Sequence, residues 1–360
     1  MQKAFKYRIY PNKIQRELIG KTIGCSRFVY NHFLSISEEG YQSYSKNSKM
    51  LTSLKCEKPF LKEVDKFALQ NSLRNLDDSF KRYFKKQNKR PHFKNKKRAR
   101  KSYKTNFTNE NIEVGENYIK LPKLKKVSAK IHRPFEGRII NATISITPTG
   151  KYYVSICVEI DDTEAMEKTD NIIGIDLGLK SYMVASDGLI VKNPKYLTKY
   201  EKMLAKEQRK LSKKKKGSNN YNKQKRKIAK IYEKITSSRS DFLHKLSYKL
   251  VSENQVIIAE SLRVKNMVKN KRLSKHISDA SWAKFSTMIG YKANWYKREY
   301  IKIDTFFPSS QTCSNCGYIN KEVKDLRIRK WNCPKCKRNH DRDENASKNI
   351  KKEGLKIYNK

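Results

Sequence analysis

The chain has 360 residues, 37% of them apolar, enough for about two domains with buried cores, and 82 Lys+Arg against 35 Asp+Glu give a formal charge of +47. Such a charge excludes a protein that works apart from polyanions and makes nucleic acid the expected partner; AT-rich coding, visible in the many Lys, Asn, Ile and Tyr, discounts its size but not its sign. No stretch approaches the roughly 18 apolar residues of a membrane helix and Met1 to Arg8 has no signal core, so an intracellular protein with no membrane partner is expected.

Ala4 to Tyr10 alternates apolar and basic side chains in the manner of an edge strand, ended by Pro11 and Asn12. Helical spacing follows at Leu18, Ile19 and Ile23, and Leu69, Leu73, Leu76, Phe80 and Phe84 mark one apolar face of a longer helix. Residues 81 to 100 interleave cations with Tyr83, Phe84 and Phe93, a composition suited to phosphate contacts with base or ribose packing, and otherwise to a solvated basic loop. From about Asn106 the pattern turns to strands. Thr143 to Thr147, a Pro148-Thr149-Gly150 turn and Tyr152 to Ile160 predict a hairpin in a small β-domain that the N-terminal strand joins. The acidic run Glu159 to Glu167 reads as a linker, with a boundary near residue 165.

Beyond it, Ile172 to Asp176 reads as a buried strand, and Tyr182 to Ser186 with Leu189 to Val191 as a hairpin across Asp187-Gly188. Two basic helices, Leu197 to Leu211 and Tyr221 to Ile235, flank a Lys-Lys-Lys-Lys-Gly-Ser-Asn-Asn break and read either as nucleic-acid contacts or as solvated polar helices. Phe242, Leu243, Leu246 and Leu250 give the next helix a narrow apolar face, and Val256 to Ala259 form another buried strand.

Three acids stand out against this basic background: Asp176 in Gly-Ile-Asp-Leu-Gly, Glu260 closing Val-Ile-Ile-Ala-Glu, and Asp343 in Arg-Asp-Glu-Asn-Ala. Each alone has an ordinary explanation, as a turn residue, a salt-bridged strand end and a helix cap. A carboxylate at the end of a buried strand is nevertheless costly without a cation or a basic neighbour. Together and in this order the three read as a cluster for Mg²⁺ or Mn²⁺, hard cations that take oxygen ligands; two such ions about 4 Å apart support in-line phosphodiester hydrolysis. Gly174 and Gly178 would let a phosphodiester approach closely. Ala346 and Ile350 have the spacing of a core-facing helical stripe, and Asp341 is the weaker alternative for the third ligand. Strand, hairpin, helices, Glu-bearing strand and terminal helix is the order of an RNase H-like fold of the RuvC type.

Cys313-Ser-Asn-Cys316 and Cys333-Pro-Lys-Cys336, sixteen residues apart, have the spacing of a four-thiolate zinc ribbon, with Gly317 supplying a tight turn. Zn²⁺ there would be structural, replacing a core too small to fold alone, and His340 reads as a polar neighbour. Cys25, Cys56 and Cys157 read as buried apolar filler.

Phe5-Lys-Tyr-Arg-Ile-Tyr-Pro11, Cys25-Ser-Arg-Phe-Val-Tyr-Asn31, Gly174-Ile-Asp-Leu-Gly178, Ala259-Glu-Ser-Leu, Ser310-Gln-Thr-Cys-Ser-Asn-Cys-Gly317 and His340-Asp-Arg-Asp-Glu-Asn-Ala-Ser-Lys-Asn-Ile350 together resemble the TnpB family of transposon-encoded RNA-guided DNA nucleases, relatives of type V CRISPR effectors. The resemblance covers nearly the whole chain and departs at Ser347, where Ala is usual. It implies an α/β plus all-β architecture. A small β-barrel wedge domain (1–10 and 106–165) with an inserted helical recognition lobe (11–105) would precede a RuvC-like nuclease domain (166–360) carrying the zinc ribbon at 308–340. It implies Asp176, Glu260 and Asp343 as catalytic metal ligands, a guide RNA from the transposon end, and cleavage of double-stranded DNA next to a short adjacent motif by a monomer in the prokaryotic cytoplasm, at the nucleoid. Two other functions stay open. Persistence of all three acids argues against a nuclease-inactive RNA-guided repressor, and the order Asp, Glu, Asp argues against a transposase or recombinase.

Overall fold

A computed structural model describes residues 1–37, 40–161 and 165–359. The chain divides into two compact units, Met1–Asp161 and Asp162–Lys360. Residues 162–164 of the expected acidic linker lie outside the described residues.

The first unit runs β1 (Gln2–Tyr10), α1 (Lys13–Ile36), α2 (Tyr44–Glu57), α3 (Lys66–Phe84), β2 (Ser102–Asn106), β3 (Glu113–Val114), β4 (Tyr118–Leu121), β5 (Lys125–Lys130), β6 (Arg138–Ile146) and β7 (Tyr152–Glu159). Its strands form one seven-stranded sheet in the order β2-β6-β7-β1-β5-β4-β3. The predicted hairpin is present, β6 pairing antiparallel with β7 across a turn in which Gly150 takes φ +84°. The N-terminal strand joins this sheet as expected but not at its edge: β1 sits between β7 and β5. Tyr7 and Ile9 are buried on one face while on the other Lys6 is exposed and Arg8 half-buried over the Tyr10 and Tyr153 rings, so alternating basic residues are compatible with a central strand.

Pro11 and Asn12 end β1 and start α1 at once, because Asn12 and Gln15 form a reciprocal capping box. Leu69, Leu73, Leu76 and Phe80 of α3 are buried against Val29, Phe33 and Leu34 of α1. The predicted face stops there: Phe84 is 54% exposed. Strand β2 begins at Ser102, ahead of the strand-rich region expected from Asn106. Of the lone cysteines, Cys25 is buried and Cys157 half-buried, but Cys56 is exposed near the end of α2, so the filler reading fails for it.

The second unit runs β8 (Ile172–Leu177), β9 (Ser181–Ala185), β10 (Ile190–Lys192), α4 (Tyr196–Ser212), α5 (Asn219–Glu253), β11 (Val256–Glu260), α6 (Val264–Met267), α7 (Ser274–Ala280), α8 (Trp282–Trp295), β12 (Glu299–Ile303), β13 (Lys330–Asn332), β14 (Asn339–Asp341) and α9 (Arg342–Tyr358). Five strands form a sheet in the order β10-β9-β8-β11-β12. The first three are an antiparallel meander, whereas β8, β11 and β12 run parallel. The two helices expected at 221–235 and around 242–250 are one helix of 35 residues, α5. The Thr-Ser-Ser-Arg-Ser segment between them looks like a break, yet it contains neither Gly nor Pro, and packing carries the helix through it. Ile228 and Ile235 pack with Leu204 of α4, and Leu243, Leu246 and Leu250 pack on the sheet. No helix among the described residues is long and apolar enough to cross a membrane.

Period-two alternation divides this sheet's side chains between two helical layers. Ile173, Ile175, Ile257 and Ala259 face α5 and α8, with Phe285 and Ile289. Ile172, Val256, Ile258 and Ile303 face the other way and are covered by Ile350 and Leu355 of α9.

Candidate active site

That alternation decides where two of the three acids stand. Asp176 shares the parity of Ile172, and Glu260 that of Val256 and Ile258, so both belong to the face that α9 covers. The strands are in register with Ile175 opposite Ala259, which sets Asp176 and Glu260 one step farther along neighbouring parallel strands. Helix α9 comes unusually close. A Cβ on Gly174 would collide with the Ser347 carbonyl oxygen and lie 2.6 Å from the Lys351 nitrogen, and one on Gly354 would lie 2.7 Å from Ile258 Cδ1. Gly174 therefore serves the approach of a helix, not of a substrate as expected; a Cβ on Gly178 would lie 3.0 Å from the Ser181 carbonyl oxygen.

One helical turn before Ser347 stands Asp343. It is not the cap of α9. Asp341 accepts from the backbone N–H groups of Asp343 (3.0 Å) and Glu344 (3.3 Å), which gives the weaker candidate a structural duty and leaves the Asp343 carboxylate to other contacts. Burial, then the Glu260 and Asp343 charges, push the Asp176 carboxyl up to about 8, partly opposed by the Arg342 guanidinium. Burial also raises Glu260, opposed by a hydrogen bond that Ser309 Oγ donates to its Oε1. Asp343 pairs with Arg329, Nη1 to Oδ1 at 3.3 Å. A half-buried carboxyl crowded by two others is unfavourable as an anion until a cation arrives, and hard oxygen donors of this kind fit Mg²⁺ or Mn²⁺.

The four cysteines are gathered closely. Their sulfurs lie within 4.8 Å of one another, Cys313 to Cys336 at 3.6 Å and Cys316 to Cys333 at 3.5 Å. Zn–S bonds of about 2.3 Å place tetrahedral thiolates about 3.8 Å apart, so the cluster fits such an ion. Among the described residues these four cysteines are the group of three or more His, Cys, Asp or Glu gathered closely enough to hold a metal ion. Two similar turns present the cysteines. Gly317 N–H donates to Cys313 O and Lys337 N–H to Cys333 O, both at 2.9 Å, with φ of +79° and +60° at the fifth position. His340 is buried, its Nε2 3.0 Å from the Cys313 sulfur and its ring against Trp331.

Helix α9 joins the two sites. Asn345 Nδ2 donates to Thr312 O (2.7 Å) and its Oδ1 accepts from Ser314 N (2.8 Å), while Asn349 Nδ2 donates to Ser309 O (2.8 Å) and Thr312 O (2.5 Å). Ser309, whose hydroxyl meets Glu260, is thereby held by the helix that carries Asp343. These positioning residues escaped the sequence reading of the site. Asn345 and Asn349 lie within the motif at 340–350, but their amides have meaning only once the loop at 309–314 is brought to them.

In the first unit, the basic segment at 81–100 exposes Tyr83 (39%), Phe84 and Phe93 (49%). Asn31 pins it, accepting from Lys94 N (2.8 Å) and donating to Lys94 O (3.1 Å), and the Lys94 ammonium lies 3.5 Å from the Tyr30 ring centroid, its pKa brought down to about 8 by burial. Arg27, Asn71, Lys94, Lys96, Arg100 and Lys101 help line a cleft of ≈ 540 Å³.

A family profile described as "Probable transposase" matches residues 155–271, one described as "Cas12f1-like, TNB domain" matches 282–350, and one described as "Helix-turn-helix domain" matches 1–46, a stretch that here holds β1, α1 and the start of α2. A Streptomyces pristinaespiralis protein described as "Putative RNA-guided DNA endonuclease" is 38% identical over 99% of this chain and 90% of its own length. An Escherichia coli K12 protein, "Putative RNA-guided DNA endonuclease InsQ", is 29% identical over 96% of this chain and 91% of its own. "TnpB-like protein L79" of Acanthamoeba polyphaga mimivirus is 28% identical over 61% of this chain and 44% of its own. The solved structure titled "Cryo-EM structure of the Cas12f1-sgRNA-target DNA complex" contains a similar chain, with TM-score 0.58, 14% identity and 98% coverage of each, a likeness of fold. With these motifs in place and that identity sustained along its whole length, the chain belongs to the TnpB family.

Proposed function

We propose that the protein is an RNA-guided endodeoxyribonuclease of a transposon, cutting double-stranded DNA beside a short adjacent motif by metal-dependent hydrolysis. What supports the reading is that Asp176 and Glu260 stand one step beyond a register pair on neighbouring parallel strands and that the Glu260 and Asp343 charges both reach Asp176. Sheet order supports an RNase H-like, RuvC-type nuclease domain in the second unit, with the four-cysteine module inserted before α9 as a zinc ribbon. The seven-stranded sheet and helices α1 to α3 fit the wedge and recognition-lobe roles. The names of its relatives support a guide RNA and a DNA target, and a charge of +47 suits both.

In this reading the three carboxylates hold Mg²⁺ or Mn²⁺, which when bound supplies an activated water and stabilises the leaving oxygen. The chain's own residues do the positioning. Ser309 fixes one Glu260 oxygen, Asp341 does the capping so that the helix end does not take up the Asp343 carboxylate, which Arg329 pairs, and Arg342 restrains the rise of the Asp176 pKa. The protein would work as a monomer at the nucleoid of a prokaryotic cell.

The test is to purify the protein from cells that also express the DNA flanking its gene, sequence the RNA that accompanies it, and challenge the complex with a plasmid library of randomised flanks in Mg²⁺. A discrete RNA with motif-restricted cutting that Asp176→Ala abolishes is expected. A discrete RNA with no cutting would instead mark a repressor, and strand-transfer products without RNA a transposase.

A further inference from the structure

Three residues beyond the strand position paired with Glu260 stands an aromatic ring that the core leaves exposed. Strands β11 and β12 end together, Glu260 opposite Ile303, and the segments beyond them stay tied: Ser261 N–H donates to Ile303 O (3.2 Å) and Thr305 Oγ1 to Ser261 O (2.8 Å). Three residues past that register pair, on either chain segment, come Arg263 and Phe306. The guanidinium carbon of Arg263 lies 5.0 Å from the Phe306 ring centroid. Phe306 is nevertheless 76% exposed, whereas its neighbour Phe307 is packed into the sheet's covered face. The backbone at Phe306 is held, its N–H donating to Asp304 Oδ1 (2.7 Å). The loop then runs on to Ser309, which holds Glu260.

We propose that Phe306, backed by Arg263, is a stacking platform for an unpaired DNA base next to the bond to be cut, and so a positioning residue that fixes where along the strand the carboxylates act. This role rests on the nuclease reading of those carboxylates. An exposed phenylalanine loses contact with water when a base covers it, and base–aromatic stacking accepts any base because each has a π-face. A base inside a duplex already has both faces covered, so the platform selects a strand that has been opened. The arginine holds the ring by a cation–π contact and adds a positive charge where a phosphate must pass. Lys265, Lys269, Lys271 and Arg272, in and just after α6, extend that charge along the chain and carry no aromatic alternative.

The test uses the RNA-bound protein and a cognate duplex carrying 2-aminopurine at successive positions around the cut, with Ca²⁺ replacing Mg²⁺ so that nothing is cleaved. Quenching at one position, lost in Phe306→Ala and kept in Phe306→Trp, is expected. In Mg²⁺, Phe306→Ala should slow single-turnover cutting about tenfold, the size of a lost stacking contact, and blur the cut position. An abasic site at the quenched nucleotide should slow the unaltered protein equally and slow Phe306→Ala no further. A structural role would instead lower the melting temperature, leave Trp without rescue and make the two losses multiply, and any of these overturns the proposal. Quenching that maps to the RNA, or no position-specific quenching, overturns it too. Position-specific quenching without any cutting in Mg²⁺ would sink the nuclease reading and the positioning role with it, leaving only a base-stacking contact at Phe306.

Discussion

The two candidate metal sites of the second unit are built by opposite means. The cysteine site is local: two short turns of matching hydrogen-bond pattern, separated by sixteen residues, bring four sulfurs to tetrahedral spacing. The carboxylate site is global, its acids drawn from the first strand of a sheet, a strand that follows a 35-residue helix, and a helix that follows the cysteine module. A local site can be read from spacing alone, because spacing is most of its geometry. A global site becomes geometry only after register, strand parity and helix approach have been set. The same α9 asparagines that hold the loop at 309–314 make the global site depend on the local one.

The largest effect tests whether the acids act as one. Asp176→Ala should bring cutting to background while RNA binding, followed by gel shift, is unchanged; retained cutting would dismiss the carboxylate cluster as the seat of hydrolysis. Dependence between the sites comes next. Cys313→Ser should release zinc, read by a colorimetric chelator, and cutting should fall with it because Ser309 and Thr312 lose their seat on α9; full cutting by a zinc-free protein would make the sites independent. Gly174→Ala tests the helix approach, since its Cβ would lie 2.6 Å from the Lys351 backbone nitrogen. It should cost about 1–3 kcal/mol in denaturant unfolding and depress cutting, with the sheet intact by circular dichroism. Smallest is the contrast between adjacent acids: Asp341→Ala should cost about 1 kcal/mol of stability and keep cutting. Asp343→Asn should do the reverse, and equal behaviour would reopen the choice of third ligand.

How much was legible follows the same division. Cysteine spacing, the hairpin at Pro148-Thr149-Gly150, the buried strands at 172 and 256, and the stripe of Ala346 and Ile350 all rest on local periodicity and stand in the structure. Position within a sheet is not local. The alternation of β1 shows one basic face, which a central strand here shares with an edge strand. The Ser-rich middle of α5 looks like a boundary because packing on α4 and on the sheet, invisible in sequence, carries the helix across it. The glycine at 174 gave a correct signal of close approach with the wrong visitor. Asp341 and Asp343 are two residues apart, and only the hydrogen bonds to the N–H groups of Asp343 and Glu344 tell cap from candidate ligand.

Helix α9 closes one face of the five-stranded sheet with Ile350 and Gly354 and supplies Asp343 in the same piece of chain. A growing polypeptide that has made β8, β11 and β12 but not yet α9 holds two of the three acids beneath an uncovered strip of Ile172, Val256, Ile258 and Ile303. Such an unfinished chain lacks the third of the proposed ligands and at the same time displays the apolar surface by which chaperones and proteases recognise incomplete folds. Covering that strip and completing the proposed carboxylate set are one event, so a product cut short before α9 should lack the third acid and show an uncovered apolar face together.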